Sequence, residues 1–148
     1  MFTLSQWLTV DCIQFSDTIT DWQSAIRQAG QPLIDRGVIR ESYVQSIIKQ
    51  KEQLGPYFVI APRIALPHAR PEEGALALGL SLLKLKQGIN FDSEENDPVD
   101  VIFMFSAPDS NSHIEMISQL AELLSDEEVM AQLYQAQNQQ QLIELLVS

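Results

Sequence analysis

Residues 99–105, Val-Asp-Val-Ile-Phe-Met-Phe, form a strand-length run rich in β-branched and aromatic side chains, and only one of the seven is charged. Such a run reads as a strand covered on both faces, which commits the chain to a sheet with something packed on each side of it. Two further runs have the same texture, Tyr57–Ala61 and Ala77–Lys86. The segments around them repeat at helical spacing instead. Trp22, Ala25, Ile26, Ala29, Leu33 and Ile34 predict a helix over Thr18–Arg36, with N-caps available at Asp17, Thr18 and Thr20 and a stop at Gly37. Tyr43, Val44, Ile47 and Ile48 predict another over Glu41–Leu54, ended by Gly55-Pro56. After the long strand, helices are predicted from about His113 to Leu124, from Asp126 or Ser125 to Tyr134, and from Leu142 to Val147. Helices interleaved with short apolar strands define an α/β protein, in which a mixed sheet is as plausible as a parallel one.

At 148 residues the chain has the size of one domain and can build a core without disulfides or metals. Its charge is divided unevenly. All nine basic residues fall at or before Lys86, among eight acidic ones, while residues 87–148 carry twelve acidic residues and none that is basic. That pattern lacks the basic footprint needed for nucleic acid or for an anionic membrane surface. One cysteine, Cys12, excludes an internal disulfide, and no signal-like or spanning apolar segment is present, so a cytoplasmic location is expected.

The sequence has no P-loop, no glycine-rich dinucleotide fingerprint, no zinc-type Cys/His spacing and no nucleophile elbow, since Gly79-Leu80-Ser81 runs on into Leu82-Leu83. What remains are two histidines. His68 lies in Leu66-Pro67-His68-Ala69-Arg70-Pro71, and four of the seven prolines fall within residues 56–71. Prolines fix the backbone around them and so preorganise the imidazole at little further entropic cost. Arg63 and Arg70 are near in sequence and are candidates to answer anionic charge. His113 falls at the predicted start of a helix, where Ser112 and Glu115 have capping-box spacing and the first turn offers an anion site. Each histidine also has a plainer reading, His68 as a surface-loop residue with one hydrogen bond and His113 as a polar first-turn residue without a role, which by itself is the commoner case. Taken together they suit a histidine that accepts and passes on a phosphoryl group, a chemistry that asks mainly for positioning and charge stabilisation.

The stretch Gly55-Pro56-Tyr57-Phe58-Val59-Ile60-Ala61-Pro62, then Leu66-Pro67-His68-Ala69-Arg70-Pro71-Glu72-Glu73-Gly74, Asn96-Asp97-Pro98-Val99-Asp100-Val101-Ile102 and finally His113, resembles the type-2 IIA domain of the bacterial phosphotransferase system, nearest to its ascorbate branch. The resemblance spans the whole chain, residues 1–148 as a single domain. It implies a three-layer α/β/α sandwich with a central mixed sheet. It also implies a phosphotransferase in which His68 takes phosphate on Nε2 from phosphorylated HPr and passes it to a cysteine of a IIB partner for sugar uptake, and in which His113 supports the first histidine or its phosphate. A membrane IIC component would be met only indirectly, and neither cofactor nor metal is called for. Lys51 stands near the place where mannitol-type relatives have a cationic side chain, and Ala69 stands where ascorbate-type members carry glycine. Two other readings remain open at this stage. One is a regulatory module docking through a phosphorylated His68, and the other is a two-histidine metal hydrolase leaning on carboxylates.

Overall fold

A computed structural model describes residues 4–109, 111 and 113–147. In chain order its elements are β1 (Ile13–Ser16), α1 (Trp22–Asp35), α2 (Glu41–Leu54), β2 (Val59–Ala61), β3 (Ile64–Ala65), β4 (Gly79–Ile89), β5 (Val99–Ser106), α3 (Ile114–Leu124), α4 (Glu127–Gln135) and α5 (Gln139–Leu146). The strands make one five-stranded sheet in the order β1-β4-β5-β3-β2. β1 pairs with β4, and β3 with β5, in parallel; β4 with β5, and β2 with β3, are antiparallel. The sheet is therefore mixed.

β5, the run 99–105 extended by one residue, sits at the centre of the sheet, and Phe105 is its one residue that is not fully buried. β4 is buried on both faces from Gly79 to Leu85, as a central strand between two helical layers must be. One face lies under α1, where the Ser81 hydroxyl donates to the Ala29 carbonyl at 2.7 Å. α2 packs against α1 closely enough that a Cβ on Gly30 would come within 2.6 Å of Val44 Cγ2, so only glycine fits at that contact. α3, α4 and α5 form the third layer: the Gln139 side-chain amide donates to the Ile13 carbonyl of β1, and the Tyr134 ring of α4 lies under the Arg63 guanidinium. The three-layer α/β/α arrangement holds.

Helix ends follow local chemistry. Asp21, not the earlier Asp17, Thr18 or Thr20, caps α1 by accepting the Ser24 N–H at 2.9 Å, so that helix begins four residues later than its periodicity alone predicts. Gly37 adopts φ 73° just past its end, as a stop should. α2 keeps its predicted bounds, and Asp126 and Asn138 cap α4 and α5 through their side chains. The Tyr57–Ala61 run corrects in one respect: only Val59–Ala61 is strand, and as β2 it lies at the sheet edge with Ile60 exposed, not in the interior.

The uneven charge is partly repaired across the fold. Lys84, 2 % exposed, meets Asp100 at 3.0 Å, and Arg63 grips the same carboxylate with two nitrogens at 2.9 and 2.6 Å. Lys51 meets Asp92 at 2.8 Å and lies 3.9 Å over the Trp22 ring. Cations from the balanced half thus neutralise carboxylates of the acidic half, and Asp100, 5 % exposed, is an exception to a merely solvated acidic surface.

Candidate active site

β3 is only two residues long because Pro62 and Pro67 bracket it, yet its parallel pairing aligns Ile64 with Val101 and Ala65 with Ile102. Continuing that alignment past the strand brings His68 beside Phe105, and the two rings stack at 4.8 Å with an interplanar angle of 17°. The path between is held by the Leu66 N–H donating to the Phe58 carbonyl at 2.8 Å. His68 Nδ1 lies 2.7 Å from the carbonyl oxygen of Leu66. A carbonyl can only accept, so Nδ1 carries the hydrogen, and in the neutral ring Nε2 keeps the free lone pair.

Two tyrosines complete the surroundings. The Tyr57 ring meets the imidazole edge-on at 5.8 Å, and its hydroxyl donates to the His68 carbonyl at 2.6 Å. The Tyr43 hydroxyl, reaching from α2, accepts the Ala69 N–H at 3.1 Å and donates to the Phe105 carbonyl at 2.8 Å. Burial pushes both phenols up to about 12, so each remains neutral and able to donate. Neither tyrosine, nor Phe105, is singled out by periodicity, which reads Tyr43 as a core position and cannot see its hydroxyl. A tyrosine in place of phenylalanine at a buried position is the one signal that could have flagged it.

His113 is the N-cap of α3, one residue before the first turn where the sequence places it, and its own side chain makes no capping hydrogen bond. The expected capping partner, Ser112, lies outside the described residues. Among the described residues, His113 Nδ1 is buried with no hydrogen-bond partner. Because β3 and β5 run parallel as neighbours, the chain leaves both at the same end of the sheet, one exit leading to His68 and the other to His113. The region outside the carboxyl ends of neighbouring strands is where α/β sheets bind ligands.

The cations fall elsewhere. Arg63 is taken by Asp100 and by the Tyr134 ring, and its backbone bonds to Asn96, Asp100 and Val101 place it at the opposite end of β5, which removes it as a phosphate ligand. Lys51 is held by Asp92 and Trp22 in the same way. Arg70 is exposed, two residues after His68. Cys12 is 1 % exposed with its thiol pushed up by burial, a packed small side chain and not a nucleophile. Among the described residues no group of three His, Cys, Asp or Glu side chains is placed to hold a metal ion, and no helix is long and apolar enough to cross a membrane.

The fold is a mixed α/β sheet with a histidine of fixed tautomer at the carboxyl end of its strands, and its relatives place this fold among the sugar phosphotransferase IIA components. The chain belongs to the family described as phosphoenolpyruvate-dependent sugar phosphotransferase system, EIIA 2, whose profile matches residues 6–148. It is 39% identical to the mannitol-specific cryptic phosphotransferase enzyme IIA component of Escherichia coli K12 over 143 residues, 97% of each chain. It is 40% identical to the ascorbate-specific PTS system EIIA component of the same strain over 126 residues, 84% of this chain and 82% of that one. The solution structure of the mannitol-specific cryptic IIA from Escherichia coli superposes with a TM-score of 0.88 at 40% identity, covering 96% of both chains. A complex of mannitol IIA with phosphorylated IIB, also from Escherichia coli, superposes with a TM-score of 0.75 at 26% identity, covering 91% of this chain and 93% of that one. The chain is thus a phosphotransferase of the sugar phosphotransferase system, and relatives named as mannitol- and ascorbate-specific components do not favour the regulatory reading.

Proposed function

We propose that His68 is the phosphoryl carrier of this IIA component. The observation that carries this reading is the 2.7 Å contact of His68 Nδ1 with the Leu66 carbonyl, which leaves Nε2 as the nucleophile. In the first step the Nε2 lone pair attacks phosphorus of phosphorylated HPr, an Nε2–P bond forms, and the bond from phosphorus to the donor breaks with its electron pair returning to HPr. In the second, a cysteine thiolate of IIB attacks the same phosphorus, and the Nε2–P bond breaks to restore the neutral imidazole. Little covalent machinery is needed beyond positioning and charge stabilisation. His113 is the second site residue: among the described residues its buried Nδ1 has no hydrogen-bond partner, and it stands at the start of α3, where helix N–H groups and the dipole favour added negative charge. Arg70 is the cation closest to His68 in sequence.

The same reading makes residues 1–148 one IIA domain acting in the cytoplasm, meeting a membrane IIC only through IIB, with a transported compound of the mannitol–ascorbate class, ascorbate first among them. Incubation with phosphoenolpyruvate, enzyme I and HPr should yield an acid-labile, alkali-stable phosphate on the wild type and none on His68→Ala; label on His68→Ala ends the assignment. His113→Ala should stay folded while exchange slows, and an unchanged rate removes His113 from the site. Offering the phosphorylated chain to ascorbate-type and mannitol-type IIB should show faster onward transfer to the former.

A further inference from the structure

We propose that Tyr57 and Tyr43 are positioning residues for phosphoryl transfer: their two hydroxyls hold both polar atoms of the peptide that joins His68 to Ala69, and so fix the orientation from which the imidazole is presented. The inference rests on the reading of His68 as the phosphoryl carrier. The carbonyl of that peptide accepts from Tyr57 at 2.6 Å, and its N–H donates to Tyr43 at 3.1 Å. The two hydroxyls come from separate parts of the fold, Tyr43 from the first turn of α2 and Tyr57 from the segment leading into β2. Tyr43 spends its own hydrogen on the Phe105 carbonyl at 2.8 Å, its 3.3 Å approach to the Ala69 carbonyl being the longer, and Phe105 is the residue whose ring supports the imidazole. Peptide, imidazole and central strand are therefore tied to one another.

Holding that peptide matters because the ring's other anchor is also backbone. The bond from Nδ1 to Leu66 is made two residues back along the same chain, so a tilt of the 68–69 peptide shifts the His68 Cα, lengthens that bond and frees the ring to exchange tautomers. A nucleophile displaced by about 1 Å can lose a hundredfold in rate. Both phenols stay protonated well above neutral pH, so the grip does not change while the imidazole gains and loses its phosphate.

The test compares Tyr57→Phe, Tyr43→Phe and the double variant in rapid-quench transfer from phosphorylated HPr, alongside 15N–1H spectra of the His68 ring. Tyr57 is 36% exposed, so loss of its hydroxyl opens no cavity and the variant should melt close to the wild type. Its transfer rate at saturating donor should fall by about ten- to a hundredfold with KM unchanged, and the Nδ1–H signal should shift or broaden as the tautomers mix. Tyr43→Phe should add a drop in melting temperature; because Tyr43 is buried, Tyr57→Phe carries the decision alone. A wild-type rate with an unchanged ring signal in Tyr57→Phe overturns the proposal, and so does a loss of stability with neither kinetic nor spectral change. Label persisting on His68→Ala would instead break the reading beneath it.

Discussion

The two ends of β5 are held by opposite means. At its start, Asp100 is locked by full charges, with Lys84 at 3.0 Å and Arg63 at 2.9 and 2.6 Å, and the arginine lies in turn 3.9 Å over the Tyr134 ring. At its finish, about 17 Å further along at ~3.4 Å per residue, His68 is held by neutral groups only: a carbonyl, two phenol hydroxyls and the face of Phe105. Fixed charge suits the end where nothing changes, because a buried ion pair tolerates no change of charge state in either partner. On the proposed reading of His68, the other end alternates between an imidazole and its phosphorylated form and is better gripped by dipoles that keep their geometry through both. Rigidity and reactivity are separated along one strand.

Three perturbations would break or sharpen that contrast. The largest effect is expected from Asp100→Ala, which among the described residues leaves the buried Lys84 ammonium with the Leu85 carbonyl and the Phe15 ring at 5.9 Å but no counter-charge. Chemical denaturation should show a loss of about 3–5 kcal/mol, while phosphate uptake per folded molecule stays unchanged; a specific loss of transfer in folded protein would mean that the ends are coupled. Next comes alkaline pH. Both tyrosines ordinarily titrate near 10 and are raised to about 12 here, so between those values the unfolded chain gives up phenolic protons that the folded one keeps. Stability contributed by the neutral phenols is complete below pH 10 and declines as pH rises through 12, and the decline should be shallower in Tyr43→Phe; a pH-independent melting temperature across that window contradicts the burial argument. The smallest effect belongs to Arg63→Ala. Its side chain is 45% exposed, so its pairing is screened, and the loss should be about 1 kcal/mol or less and diminish with added salt.

How much of this was readable in the residues depends on the kind of contact. α2 came out with its bounds intact because its apolar stripe and its Gly55-Pro56 stop agree. β1 went unread: it has four residues, two of them Gln14 and Ser16, and its existence depends on pairing with β4 far along the chain. β3 was hidden between prolines that locally argue against a strand, and only its register with β5 makes it one. In the candidate site, the sequence singles out His68 because proline and histidine chemistry are local. Arg63 was misread as a phosphate ligand for the same reason, since nearness in sequence says nothing of which end of a strand a side chain serves. The stronger clue to its true partner was a lone Asp100 inside an apolar run, which also meets the buried Lys84 of the next strand at 3.0 Å.

The hold on the 68–69 peptide acts on main-chain atoms alone, and this bears on which sequences the site can tolerate. Ala69 meets Tyr43 through its N–H and carbonyl, while Tyr57 takes the carbonyl of His68, and the Ala69 backbone avoids the left-handed region that would demand glycine. Alanine and glycine are therefore equivalent there as far as the grip is concerned. Proline is the residue the position refuses, because it has no hydrogen to give. For the two hydroxyls, the boundary at residue 69 runs between having an amide proton and lacking one.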